Sequence, residues 1–182
     1  SAYEAKGLMK TAIRDNNPVV IFEDKLMYQD KAPVPEEEYL IPFGEANVKR
    51  EGKDITLIGT SSMVQVAEAA AEILAKEGIE AEVIDPRTIV PLDEETLLRS
   101  VKKTSRAIVI DEGHQSYGIT GEIASRLNEK AFYHLDAPVV RMGAMDVPVP
   151  FSPALEDLTV PTVEKVTAMA RRLVAGEMIH AA

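Results

Sequence analysis

The 182 residues contain no cysteine and no tryptophan, and aromatic residues make up 5% of the chain. Without cysteine there can be no disulfide framework, no thiolate metal site and no cysteine nucleophile, and a reducing compartment is in keeping with that absence. Long apolar runs are also missing. None reaches the roughly 20 residues that a membrane-spanning helix needs, and no basic-then-apolar signal opens the chain. Concentrated positive charge is lacking too, since 20 Lys and Arg stand against 30 Asp and Glu for a net charge of −10. Compact basic pairs such as Lys102-Lys103 and Arg171-Arg172 read as solvated helix faces. Nucleic-acid affinity rests on clustered cations that neutralise phosphates, so no nucleic-acid partner is expected. Neither the spaced glycines of a dinucleotide fingerprint nor a phosphate-loop Gly-Lys-Ser/Thr occurs, and there is no internal repeat.

What is present is a strand-helix-strand crossover in residues 54–85, DITLIGTSSMVQVAEAAAEILAKEGIEAEVID. Residues 55–58 form an apolar run too short for a helix and bounded by Asp54 and Gly59, as in a strand buried on both faces. Ser62 is placed to cap the next helix, with Gln65 three residues on. Val64, Ala67, Ala71 and Leu74 then recur at helical spacing, widened by Ala70 and Ile73. Gly78 supplies the left-handed stop, and residues 81–84 are a second short strand. A crossover of this kind joins parallel strands and cannot bury both faces by itself, so the remaining chain should add to the same sheet.

It does so in alternation. Residues 93–101 read as a helix capped by Asp93 and carrying Leu97, Leu98 and Val101. Residues 106–111 follow as a third strand, 112–118 as a polar loop, 119–130 as a helix and 139–142 as a fourth strand. Pro148, Pro150 and Pro153 make 145–152 an extended loop. Thr162 caps a last helix with Val163, Val166, Ala170, Leu173 and Val174 inward, ending at Gly176. This is a three-layer α/β/α domain with a mostly parallel sheet, spanning residues 45–182. Ahead of it lies a helix with capping-box spacing from Ser1 to Glu4 and a stripe of Leu8, Ala12 and Ile13. Pro18 then opens a strand at 19–22. This helix-strand pair has nothing to pack on and is expected to be the closing part (residues 1–30) of a preceding domain. Residues 31–44, with Pro33, Pro35, Glu36 to Glu38 and Pro42, read as a linker whose Tyr39, Leu40, Ile41 and Phe43 lie on a domain surface. Residues 47–52 resemble a short strand and turn.

In parallel sheets ligands gather at the carboxyl ends of strands, here residues 59–62, 85–87 and 111–114. The first is a strand-to-helix turn, but Asp85, Asp111 and Glu112 would crowd an anion with like charge, so a capped helix is the better reading. His114 could act as a general base or as a recognition contact, or simply bond a loop neighbour. His134 follows two aromatics and is expected to be half-buried packing. His180 lies in the tail, and the three histidines have no metal-ligand spacing. Gly118 and Gly121 could approach a ligand closely, while Ser61, Ser62 and Ser116 lack a nucleophile context. On the residues alone no catalytic, cofactor-binding or metal-binding site is displayed.

Several segments together resemble a known family. YEAKGLMKTAIRDNNPVVIFED (3–24) is similar to the end of the pyrimidine-binding domain in β subunits of thiamine-diphosphate-dependent 2-oxo acid dehydrogenases. IDPRTIVPLD (84–93), VIDEG (109–113), LDAPVVR (135–141) and VPVPFSPALED (147–157) resemble the C-terminal domain of the same subunits, which also closes transketolases. VPEEEYLIPFGEANVKREG (34–52) leans towards the pyruvate or acetoin dehydrogenase type. Where the family often has an aromatic-proline pair after the DEG turn, this chain has His114-Gln115, so the resemblance assigns that loop no role.

The resemblance implies the E1 component of a pyruvate or acetoin dehydrogenase complex, in the cytoplasm or, in a eukaryote, the mitochondrial matrix. It implies thiamine diphosphate and Mg2+ in the full assembly but held outside these residues. It further implies contacts with an E1 α subunit, a second β subunit and the dihydrolipoyl acyltransferase core. Apolar Val139, Val147, Val149 and Phe151 amid acids suggest a contact surface, and the candidate partner-binding residues are His114, Asp136, Asp146, Phe151, Glu156 and Asp157. The alternative from another class is a self-contained flavodoxin-like ligand-binding domain or enzyme using the strand-end crevice.

Overall fold

The structure, a computed structural model, describes residues 1–177. In chain order its elements are α1 (Ala2–Arg14), β1 (Asn47–Arg50), β2 (Ile55–Gly59), α2 (Met63–Ala75), β3 (Ala81–Asp85), α3 (Glu94–Thr104), β4 (Ala107–His114), α4 (Ile119–Ala131), β5 (Val140–Ala144), α5 (Pro153–Thr159) and α6 (Val163–Val174). The strands form one sheet in the order β1-β3-β2-β4-β5, with β3, β2, β4 and β5 parallel and β1 antiparallel on the β3 edge.

Alternate side chains of the central strands point to opposite faces, and each face is covered by helices. Ile55, Leu57, Val83, Ile108 and Ile110 pack with Ala67, Ala71 and Leu74 of α2 and Val166, Ala170 and Leu173 of α6. On the other side Ile58, Ile84 and Val109 meet Leu97 and Val101 of α3 and Ile123 and Leu127 of α4. Each fully buried aliphatic side chain contributes about 1.5–3 kcal/mol. One polar position enters this second layer. Thr56 lies buried with its hydroxyl 2.7 Å from both Ser100 and Thr104 on α3, so the group that faces a helix has its hydrogen bonds made.

Helix punctuation follows the local sequence in most places. Asp93 accepts from the Thr96 amide at 3.0 Å and Thr162 from the Lys165 amide at 3.3 Å. Gly78 and Gly176 take positive φ of 82° and 73° where their helices end. Ser62 departs from expectation. Its backbone is already helical and its hydroxyl turns away to Glu112, while Gln65 reaches Asp30 at 2.7 Å, so neither side chain caps α2.

Further differences have physical reasons. Residues 19–22 form no strand, and Val20 and Phe22 are exposed, because a strand needs a neighbour to share its hydrogen bonds. On α1 the buried residues are Glu4 and Gly7, whereas Ile13 of the expected stripe is exposed. Gly7 is the contact point with the following segment. A side chain there would collide with Ile41, whose amide bonds the Gly7 carbonyl at 3.3 Å. Ile41 is 4% exposed, and Tyr39 stacks on Tyr3 at 4.5 Å, so residues 39–43 do lie on a surface, that of α1. β4 continues through Glu112, Gly113 and His114, where a polar loop was expected, and α5 forms directly at Pro153, a residue suited to a first helical turn. Val139 is 8% exposed and belongs to the core, not to a surface. His134 is exposed, as are its neighbours Phe132 and Tyr133. The basic helix faces are ion-paired: Lys103 with Glu82 and Glu51, Arg171 with Glu77, and Arg172 with Glu177. His180 lies outside the described residues.

Candidate partner interface at the carboxyl end of the sheet

The chain runs from β2 outward to β3, then crosses back over β2 to β4, so the crevice between the carboxyl ends of β2 and β4 is the switch point of the sheet. Both loops that border it are bonded to each other. The Thr60 hydroxyl donates to Asp111, and the Ser62 hydroxyl donates to Glu112 at 3.0 Å. The first amides of α2 are also engaged, Met63 with the Thr60 carbonyl at 2.9 Å and Gln65 with that of Ser62 at 3.1 Å. An anion would find carboxylates and few open amide donors at this turn, and the diphosphate of thiamine diphosphate does not fit these residues. Among the described residues no group of His, Asp and Glu is disposed to hold a metal ion.

At the third strand end, Asp85 accepts from the Arg87 amide at 2.8 Å. Burial pushes the Asp85 carboxyl above its ordinary pKa, and nearby Glu4 adds to that rise. Arg87, with φ of 58°, directs its guanidinium to Glu4 at 3.2 Å. Asn47 and Lys49 also approach the same carboxylate. Burial alone would raise the Glu4 pKa, but the Ser1 hydroxyl, Arg87 and Lys49 outweigh it and hold the group at about 2. This cluster fastens α1 to β1 and to the loop after β3.

The end of β4 is tied to the chain leaving β5. His114 Nε2 donates to the Val147 carbonyl at 3.1 Å, and the Gln115 amide donates to that of Ala144 at 2.9 Å. The Ser116 hydroxyl donates to Asp146 at 2.5 Å. Gly143 permits the approach, since a Cβ there would stand 2.9 Å from Gln115 Cα and from the Gly113 carbonyl oxygen. These bonds build one wall of a cleft of about 450 Å³, and the other wall comes from residues far back in the chain. Asp24 and Leu26 form that second wall, facing Glu112, His114, Met145, Val147, Val149, Glu156, Thr159 and Val160. The Gln65–Asp30 bond pins this early segment at the start of α2. Burial raises the Glu112 pKa, Ser62 partly offsets the rise, and Asp24 and Asp111 add to it by repulsion.

The six candidate contact residues are thereby divided. His114 and Glu156 line the cleft, Asp146 is held by Ser116, and Asp157 lies next to Glu156 on α5. Phe151 is 103% exposed on the loop before α5. Asp136 stands apart at the amino end of β4, paired with Arg106 at 2.8 Å. Its separation from the others is the length of that strand. Asp24, Leu26, Glu112, Met145 and Val160 complete the cleft and were not among the candidates. Glu112 lies in the strand end 111–114 that the sequence already picks out, but no local pattern marks Asp24, Leu26, Met145 or Val160, because the cleft joins residues more than 80 positions apart.

An open doubly wound sheet with an antiparallel edge strand and helices on both faces defines the class, and the family follows. Residues 44–166 match the model of the transketolase C-terminal domain, and the chain belongs to that family. Among curated relatives, the acetoin:2,6-dichlorophenolindophenol oxidoreductase subunit beta of Bacillus subtilis is 48% identical over 178 residues, 98% of this chain and 52% of that protein. The mitochondrial pyruvate dehydrogenase E1 component subunit beta of Dictyostelium discoideum is 45% identical over 177 residues, 95% of this chain and 50% of its own length. The chain thus spans about half the length of these relatives. A solved structure described as a split gene transketolase, inactive beta4 tetramer, superposes with a TM-score of 0.68 at 30% identity, covering 76% of this chain and 45% of the other.

Proposed function

We propose that the chain serves as the C-terminal assembly and partner-docking part of a β subunit in a thiamine-diphosphate-dependent pyruvate or acetoin dehydrogenase complex. The observation that carries this is the extent of the similarity. The match to the Bacillus subtilis acetoin subunit covers 98% of the chain, so it includes residues ahead of the domain matched from residue 44. Residues 1–30 are accordingly the close of a preceding domain, 31–44 a linker and 45–182 the docking domain. The identities of 48% and 45% favour neither acetoin nor pyruvate strongly, and the substrate belongs to one of these two classes.

The role is structural within the assembly. Thiamine diphosphate and Mg2+ belong to other parts of it, because the strand-end loops here are acidic and bonded to one another. The partners are an E1 α subunit, a second β subunit and a lipoyl acyltransferase core. His114, Asp146, Phe151, Glu156 and Asp157 offer one contact region and Asp136 a second. Relatives from Dictyostelium and Arabidopsis are named mitochondrial, which supports the matrix for a eukaryotic source and the cytoplasm for a bacterial one. A self-contained flavodoxin-like binding role is not favoured, since the switch-point crevice is closed by its own side chains.

Pull-down of the purified chain with its matching α subunit and lipoyl acyltransferase tests the proposal. Co-elution with either one is expected. Failure to retain both would remove the assembly role.

A further inference from the structure

The stretch leading into the sheet, residues 35–46, is fastened along most of its length. On one side it lies against α1. The Lys6 ammonium donates to the carbonyls of Pro35 and, at 2.9 Å, Glu37, and stands 4.8 Å from the centre of the Tyr39 ring. The Tyr39 hydroxyl donates to the Tyr3 carbonyl at 2.9 Å, and the Thr11 hydroxyl to that of Ile41 at 2.7 Å. On the other side the same stretch is held by the loop after β3. The Gly44 amide donates to the Thr88 hydroxyl at 2.9 Å, and the Ala46 amide to Asp93, which also caps α3. A chain whose carbonyls and amides are taken up in this way is not a slack tether.

The Glu4–Arg87 contact joins the two sides. Glu4 is 7% exposed on α1, and Arg87 directly precedes Thr88. The contacts therefore close a ring: α1 to residues 35–41, on to 44–46, across to 88–93 and back through Arg87 to Glu4. The last link is not built like the others. Arg87 gives Glu4 one bond of 3.2 Å, longer than the roughly 2.7–2.9 Å usual for a charge-assisted contact, where a guanidinium can offer two parallel bonds. Its Nε is buried with no hydrogen-bond partner. Its backbone is left-handed at φ 58°, which costs energy in a residue that has a Cβ. A link that leaves a buried donor unpaired and a backbone strained is the one that yields first.

We infer that the Glu4–Arg87 pair is a releasable latch: closed, it makes α1 and residues 35–46 one rigid unit with the loop 86–93, and open, it frees them together. The inference goes beyond docking and rests on the proposed function only for the identity of α1 as the last helix of a preceding domain. On that reading the latch sets the position of that domain against this one, and the linker is a strut, not a hinge. An element with two arrangements is what lets one part of a chain bias another.

Amide hydrogen exchange of the 182-residue chain tests the latch. The amides of Ile41, Gly44 and Ala46 report the ring, being bonded to Gly7, Thr88 and Asp93, and the Thr56 amide, bonded to the Arg106 carbonyl inside the sheet, reports global unfolding. The three ring amides should open with one common free energy and one common dependence on urea, both smaller than those of Thr56. Arg87→Gln should speed all three about tenfold, the loss of one charge-assisted contact, and Glu4→Gln, which also gives up Lys49, by more. The double variant should do no more than Glu4→Gln alone. The Met145 amide, bonded to the Thr159 carbonyl at the opposite edge of the sheet, should not respond. The inference is overturned if the ring amides open only when Thr56 does, if each opens independently, if either substitution speeds one side of the ring and leaves the other unchanged, or if Met145 is speeded equally. A chain that is retained by its α subunit and shows any of these keeps the assembly role and loses the latch.

Discussion

Glu4 carries a negative charge into a position where burial would ordinarily favour the neutral acid. The Ser1 hydroxyl, Arg87 and Lys49 reverse that preference and hold its pKa at about 2. A carboxylate whose folded pKa lies below its unfolded value stabilises the fold fully above the unfolded pKa, and that contribution is lost as pH falls towards the folded one. Glu4→Gln should therefore cost about 2–3 kcal/mol at neutral pH and very little near pH 2, read from urea denaturation and from amide exchange in α1. Glu112 presents the opposite sign. Burial raises its pKa, so its charged form opposes folding once pH exceeds the raised value, and that opposition disappears below the ordinary carboxylate range. Glu112→Gln keeps an acceptor for Ser62 and should raise Tm at pH 8, with the gain vanishing below about pH 4.

At the scale of elements, β4 is the strand on which the sheet depends. Ile108 is 0% exposed between β2 and β5 with helices on both faces. Ile108→Asp should cost about 4 kcal/mol or more and lower Tm by roughly 10 °C, because an unpaired charge would be sealed in the core. A variant that melts with the parent would remove β4 from the centre. This strand, like β2, β3 and the helices between them, was legible in the sequence because its signal is local: apolar runs of fixed length, caps, and glycine stops. Where the signal depended on tertiary partners, legibility failed. Residues 19–22 have strand composition but no neighbour, and β4 gained its last residues only because β5 and Gly143 lie against it. Ser62 had the right spacing for a cap, but its backbone is already helical and its hydroxyl donates to Glu112, fifty residues away in sequence. The candidate contact residues were half legible for the same reason. Acids and exposed apolar side chains on 146–157 stand out by composition, whereas Asp24 and Leu26 joined the cleft only through the fold.

At the scale of the whole molecule, the acidic balance and the mutually bonded strand ends argue against phosphate ligands. Calorimetry of thiamine diphosphate with Mg2+ against the 182-residue chain should show no tight binding, and a tight magnesium-dependent isotherm would place the cofactor site on these residues after all. The stretch 19–22, outside any helix or strand and with Phe22 91% exposed, has a consequence for how the molecule meets proteases. An endopeptidase that cuts after aromatic side chains needs an accessible backbone outside helix and sheet, and Phe22 offers one that the folded sheet does not. The first nick should fall there. It should not liberate the amino-terminal piece, because Glu4 holds Arg87, Tyr3 stacks on Tyr39 and Gly7 carries Ile41, all across the cut. Limited digestion should thus give two bands under denaturing conditions from a particle that still elutes as one.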